Sequence, residues 1–334
     1  MGSKVIVSGQ VSGAILAVLP KFIGDAINTL PALELLQNLY PTQRIYVLGR
    51  PFMASLFSRA DHYGVEFIPD KRHYYDAPHN ILSMSRILKG YNISAAVLFR
   101  GSLRDALLMK LAGIKTIIGY AQNARSPLLS HALKLNPCEH YIYRYCQLVN
   151  EPHGKPFETF NKPTLTPQKL EQPLKGKLKI ALYLGGTIKG HRCYPHDLSL
   201  ALLKRLSAYQ DIHLYLLGDS AERDEMETLT QELVKQNKSV TNLAGRMTLD
   251  ILVDTIGNMD AMISIDSGPM HIAAACNTPC VAIIGQGTSP WSIVAPKQQN
   301  LIALHHQSMS LSESQMIRDI SPQAISQALF ELIK

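Results

Sequence analysis

The sequence predicts an α/β protein of two domains, each a parallel sheet covered by helices, facing a central cleft. Three observations predict this. Short β-like apolar runs alternate with helix-patterned segments along the whole chain, the pattern of βαβ units. Between about Glu151 and Lys179 a polar stretch without apolar period, broken by Pro152, Pro156, Pro163, Pro167 and Pro173, divides two such series. A length of 334 residues also exceeds what one hydrophobic core usually organises. The expected boundaries are residues 1–160 for the first domain, 161–178 for a proline-rich linker, 179–320 for the second domain and 321–334 for a last helix.

In chain order, the expected strands of the first domain are Ala14–Leu19, Arg44–Val47 and Ala95–Phe99. The first runs into a loop and helix over residues 19–33, with Gly24 and Asp25 at their junction. At a cleft mouth Asp25 has two readings, a helix N-cap or a general base that takes the proton of an attacking hydroxyl. After the linker come Leu178–Leu184, His213–Leu217, Ala261–Ile265 and Cys280–Ile284. Leu178–Leu184 leads to the small-residue turn Gly185-Gly186-Thr187, followed by Lys189, His191 and Arg192, cations that suit a departing diphosphate. Leu217-Gly218-Asp219 precedes Glu222, which reads as an acceptor of hydrogen bonds from a ribose or base or as a solvated helix start, and Met247 before a further helix reads as packing on a flat base or as core. The stretch from Ser264 to Pro279 reads as a strand, a tight turn and a helix start. Asp266-Ser267-Gly268 forms the turn and cap, Pro269 takes the first helical position, and His271 lies one turn in. Amides exposed there form an anion site.

Composition narrows the function classes. The chain is 46% hydrophobic and 18% charged, as a soluble globular protein is, without an apolar run of transmembrane length. It lacks a secretory signal, and five scattered cysteines form no disulfide framework, which together predict a cytoplasmic location. Cys138, His140 and Cys146 lack a second pair at metal spacing, so no metal site is expected. Residues 1–165 carry 18 Lys and Arg against 10 Asp and Glu, whereas residues 166–334 carry 15 against 16. The first half therefore suits an acidic substrate or an anionic membrane surface. Nucleic acid is not expected, because the basic residues are dispersed and match no binding motif.

Taken in order, several segments resemble glycosyltransferase family 9, the ADP-heptose lipopolysaccharide heptosyltransferases, and in particular those of type II. They are Gly24-Asp25 with Thr29-Leu30-Pro31, the run Phe99 to Leu107, Ala112-Gly113-Ile114, Ile118-Gly119-Tyr120, Gly186-Thr187, Arg192 to Pro195, Leu243 to Met247 and Asp266 to His271. The resemblance implies a GT-B fold of two Rossmann-like domains, with the acceptor on the first, the sugar nucleotide on the second, and a last helix, Pro322–Ile333, packing back toward the first. It implies an inverting, metal-independent transfer of L-glycero-D-manno-heptose from ADP-heptose to the lipopolysaccharide inner core, at the inner face of the inner membrane, with no cofactor.

Asp25 would be the catalytic base, assisted by Arg192. Gly186, Thr187, Lys189, Arg192, Ser267, Gly268 and His271 would surround the diphosphate, Asp266 would hold the heptose, and Glu222 and Met247 would contact adenosine. Lys21, Arg100, Arg104 and Arg125 would meet the acceptor. Arg192 stands where the family usually has lysine, which makes Lys189 a rival for that charge, since an arginine fork and a lysine bind oxygens differently. Alternatives from other classes are a nucleotide-sugar epimerase, a GT-B glycosyltransferase with another donor or acceptor, and a sugar-binding protein without turnover.

Overall fold

Continuous apolar runs become central strands in the computed structural model, which describes residues 5–73, 80–170, 174–175, 177–185, 187–236, 238–285, 289–306 and 313–334, without the side chains of 10, 187, 188, 313 and 314. The chain divides into two units, Met1–Pro163 and Thr164–Lys334. The first contains strands β1 (Ala14–Val18), β2 (Ile45–Gly49), β3 (Val65–Pro69), β4 (Ile93–Leu98), β5 (Thr116–Tyr120) and β6 (His131–Leu133). Its helices are α1 (Ile23–Asn28), α2 (Leu30–Leu39), α3 (Ala54–Phe57), α4 (Ile81–Lys89), α5 (Leu103–Leu111) and α6 (Tyr141–Asn150).

All six strands are parallel, in the order β3-β2-β1-β4-β5-β6. Every residue of β1 is buried, because helices cover both faces of such a sheet. On one face Met84 and Leu88 of α4 and Ala106, Leu108 and Met109 of α5 join Leu16, Val18, Leu48, Ala96 and Leu98 in one cluster. Ile15 and Ala17, which alternate with these, are buried as well. Helices α1, α2 and α6 pack as a second group.

The second unit repeats the plan. Strands β7 (Leu178–Tyr183), β8 (Ile212–Leu216), β9 (Val240–Asn242), β10 (Ala261–Ile265), β11 (Cys280–Ile284) and β12 (Leu301–His305) form a parallel sheet ordered β12-β11-β10-β7-β8-β9. The helices are α7 (His196–Leu206), α8 (Arg223–Val234), α9 (Leu249–Gly257), α10 (Gly268–Ala275), α11 (Trp291–Val294), α12 (Glu313–Met316) and α13 (Pro322–Leu332). In each sheet the order reverses beside the first strand, at β1/β4 and at β7/β10. Those are the switch points, where doubly wound sheets leave a crevice beyond their strand ends.

The seven expected strands are all present, with each end within two residues of the expected one. Five further strands were not expected: β3, β5, β6, β9 and β12. The proline-rich stretch is not a free tether. Asn161 Nδ2 donates to Glu34 Oε1 at 2.8 Å in the first unit, whereas Leu165 N donates to Ala275 O at 2.9 Å and Gln168 N to Asp254 Oδ1 at 2.8 Å in the second. Helix α13, expected to turn back toward the first domain, packs on α7 and beside β10, β11 and β12 of the second unit. Arg205 Nε donates to Ser326 Oγ at 2.7 Å there, and Tyr209 lies 4.6 Å from Phe330, ring to ring.

Candidate active site

At the first switch point β1 ends in Val18, and Leu19 N still donates to Leu48 O at 2.9 Å before the chain turns. Extended Phe22 is the N-cap of α1 and makes no side-chain cap bond. Asp25 is therefore not the cap that its local sequence suggested. It lies in the first helical turn, where a carboxylate also complements the helix dipole. Asp25 lines a pocket of about 670 Å³ with Lys21 and Phe22 of its own loop, Arg100 after β4, Arg125 after β5, and Tyr141, Arg144 and Tyr145 of α6. The buried Tyr145 hydroxyl is held well above the usual range by burial and then by the charge of Asp25.

The pocket's cations differ in what holds them. Arg100 Nη2 donates to Asp105 at 2.8 Å and to Asp70 at 3.3 Å, and Arg72 donates to the same two carboxylates at 2.7 Å each. Burial alone would raise both carboxyls, but hydrogen bonds and charge from Arg72 and Arg100 outweigh it and hold them below the usual range. Two guanidiniums and two carboxylates, both Asp side chains 1% exposed, thus neutralise one another under α5.

Arg125 is buried too, but its bonds go to carbonyls. Nε donates to Tyr120 O at 2.9 Å and Nη1 to Arg100 O. Burial pulls its pKa down to about 10, opposed by the charge of Asp105. Arg144 lies 4.6 Å from the Tyr141 ring centroid, and its buried Nε has no hydrogen-bond partner. Lys21, Arg100 and Arg125 therefore line the same pocket as Asp25, while Arg104 is exposed on α5 and does not line it. Arg144, Tyr120, Tyr141 and Tyr145 were not anticipated from the sequence. The one available signal was Tyr141 and Arg144 three apart on a helix face.

At the second switch point Gly185 has φ 70°, and a Cβ there would sit 2.7 Å from Ile265 Cδ1, so the turn after β7 requires glycine. Gly186 lies outside the described residues, as does the Thr187 side chain. The Thr187 backbone opens a 3-10 segment to Arg192, kinked at Gly190. Lys189 Nζ lies 3.1 Å from Asp219 Oδ2 and 3.6 Å from Glu222 Oε1. Burial opposes its charge, yet Tyr183, Glu222 and Asp219 push its pKa up to about 12.

Glu222 is no solvated helix start. It is 1% exposed, accepts from Asp219 N at 2.9 Å in a capping box, and accepts from Tyr183 OH at 3.3 Å. Arg192 has no hydrogen bond or ion pair among the described residues. Its charge tempers Asp266, whose carboxyl burial pushes up.

Next to them, α10 begins after Ser267. That hydroxyl turns back, donating to Ile265 O at 3.2 Å, and no side chain caps the helix. Ser267 is the N-cap by backbone only, and Pro269 takes the second helical position, one later than expected. Without a cap from Ser267, the first amides of α10 are unpaired within the helix. His271 is buried in its first turn. Met247 accepts from Thr255 Oγ1 at 3.5 Å, which fixes the thioether at the head of α9. Gln286, Gly287 and Thr288 lie outside the described residues.

Two Rossmann-like units, each with a polar site at its switch point, make this a protein of the α/β class with the GT-B fold. The sequence profile of glycosyltransferase family 9 (heptosyltransferase) matches residues 81–318, and the chain belongs to that family. It is 26% identical to lipooligosaccharide heptosyltransferase 2 of Haemophilus influenzae, over 96% of this chain and 99% of that one. It is 25% identical to lipopolysaccharide heptosyltransferase 2 of Escherichia coli K12, over 96% and 98%. The solved structure of E. coli ADP-heptose lipopolysaccharide heptosyltransferase II superposes with a TM-score of 0.82 at 23% identity, covering 96% of this chain and 98% of that one.

Proposed function

We propose that this protein transfers L-glycero-D-manno-heptose from ADP-heptose to the inner core of lipopolysaccharide, as the enzyme that adds the second heptose, with inversion at the anomeric carbon. The observation that carries the reading is Asp25, a carboxylate set among cations in a switch-point pocket large enough for a sugar acceptor. Full-length likeness to proteins named lipooligosaccharide or lipopolysaccharide heptosyltransferase 2 supports the acceptor and the type, and likeness to the E. coli ADP-heptose heptosyltransferase II supports the donor.

In this reading the acceptor hydroxyl gives its proton to Asp25 as its oxygen attacks C1 of the heptose. The bond from C1 to the diphosphate oxygen breaks, and ADP leaves with the electron pair. A β-linked donor thereby gives an α-linked product. Arg192 and the α10 N-terminus receive the charge that develops on the diphosphate, so the reaction proceeds without a metal. Asp266 would position heptose hydroxyls, and Gly186, Thr187, Lys189, Gly268 and His271 would complete the donor site. Glu222 and Met247 would border adenosine, Glu222 through the loop it braces. Lys21, Arg100 and Arg125 would face the acceptor, Arg100 mainly by fixing the carbonyl that holds Arg125. The enzyme would act at the inner face of the inner membrane, where its basic first unit meets an anionic substrate.

The test is Asp25→Asn, assayed for heptosyl transfer and for ADP binding by calorimetry. We expect kcat to fall by roughly 10²–10⁴ while ADP affinity stays within about twofold. Retained turnover, or an equal loss of ADP binding, would refute the assignment.

A further inference from the structure

Helices α4 and α5 lie side by side on one face of the first sheet, both contributing to the same core cluster. Their outward sides carry matching stripes. On α4 these are Leu82, Arg86 and Lys89, and on α5 Leu103, Leu107 and Lys110, each at helical spacing of four and three, with Arg104 beside the second. All are exposed, and the leucines are 52%, 44% and 41% accessible in chain order. These three are all of the exposed leucines among the described residues, and they gather on two adjacent helices rather than being scattered over the surface.

No exposed acid interrupts the stripes. Helix α4 has no Asp or Glu, and the one carboxylate of α5, Asp105, is buried in its ion pairs with Arg72 and Arg100. The face adjoins the pocket. Leu103 heads the α5 stripe and also lines the pocket, as do Lys21 and Phe22, and Phe22 is 68% exposed.

We propose that this α4–α5 face is a docking surface for an anionic lipid bilayer. Leucines enter the boundary between headgroups and acyl chains, and the flanking cations pair with lipid phosphates. Its place beside the pocket mouth would hold a lipid-borne acceptor at the membrane while the sugar end enters toward Asp25. The choice of a bilayer over another polyanion rests on the proposed lipid-linked acceptor.

The experiment is co-sedimentation of the full-length protein with vesicles of phosphatidylethanolamine and phosphatidylglycerol, against vesicles of phosphatidylcholine. The wild type is expected to partition onto the anionic vesicles and far less onto the neutral ones. With a contribution of roughly fivefold per cation, the double variant Arg86→Glu/Lys110→Glu loses at least about 25-fold. Leu82→Glu/Leu107→Glu loses binding as well, including at high salt, where purely electrostatic adsorption would already be gone. Both variants keep ADP binding and keep transfer to a deacylated, water-soluble acceptor, which separates surface docking from folding.

Wild-type protein that ignores anionic vesicles, or variants that bind them as well as wild type does, would overturn the proposal. So would capture by RNA without vesicle binding, which would assign the face to a soluble polyanion. Vesicle binding without any heptosyl transfer would instead leave the lipid surface standing and overturn the proposed reaction.

Discussion

Arg192 and Lys189 stand three residues apart in one loop, yet the fold gives them different work. Lys189 is braced by Asp219 and Glu222, so its charge is already answered within the protein. Arg192 makes no ion pair among the described residues and lies close enough to Asp266 to influence its proton. The diphosphate of the donor should therefore draw mainly on Arg192. Arg192→Ala is expected to weaken ADP binding by roughly 10- to 100-fold, the value of a hydrogen bond to a charged group, and Lys189→Ala by less than about fivefold with a lower Tm. Calorimetry with ADP and thermal melting of both variants check this, and the reverse order would show that Lys189 leaves its acids when donor binds. Sequence alone put both cations in the loop. It had no means to rank them, because Glu222 comes from a segment some thirty positions away.

Tyr40 ends α2, and its hydroxyl lies 2.6 Å from Nε2 of His153, whose Nδ1 lies 2.6 Å from Val149 O. This buried pair ties α2 to the turn after α6, the helix that supplies Tyr141, Arg144 and Tyr145 to the pocket. Burial holds His153 below its ordinary 6.5, so the folded protein keeps it neutral while the unfolded chain takes up a proton. Stability from the pair is complete above about pH 6.5 and is lost as the pH falls toward the folded value. His153→Gln should cost roughly 1–3 kcal/mol at pH 8, and the gap in Tm between variant and wild type should narrow below pH 6.5. A gap constant with pH would mean that His153 binds its proton equally well in the folded and unfolded states.

Elements were legible in proportion to their burial. Four of the five unexpected strands, β3, β6, β9 and β12, are the sheet edges and half-exposed; β3, β6 and β9 also lack the continuous apolar run that marks a strand covered on both faces, whereas β12 has one, unanticipated, in residues 301–304. The fifth, β5, is interior, but its run of apolar residues is interrupted by Gly119, against which Arg125 packs.

On the scale of the whole chain, positive charge is concentrated in the first half, and within it the cations Lys21, Arg125 and Arg144 meet one carboxylate at the pocket. An anionic acceptor should then be drawn over some distance, whereas the donor is held by close contacts in a unit of nearly balanced charge. Raising salt from about 0.1 M to about 1 M shortens the screening length from roughly 10 Å to roughly 3 Å. The acceptor KM is expected to rise severalfold over that range and the ADP Kd to change much less, measured on the same preparation with a water-soluble acceptor. Equal salt dependence of the two would remove the charge asymmetry from substrate capture.

By itself the sequence determined the two α/β units, the central strands, and the loops that leave them carrying Asp25, Arg192 and the Asp266–His271 turn. These are local matters, set by apolar runs, turn residues and helix starts within a few positions of one another. Tertiary structure decided which charges remain available. Asp70 with Arg72 and Arg100 with Asp105, two segments some thirty positions apart, neutralise one another, Glu222 becomes a buried brace, and Ser267 turns its hydroxyl away from the helix it begins. The physical reason is that a charge acts through its surroundings, and partners drawn from distant strands and helices meet only when the sheet has set them side by side.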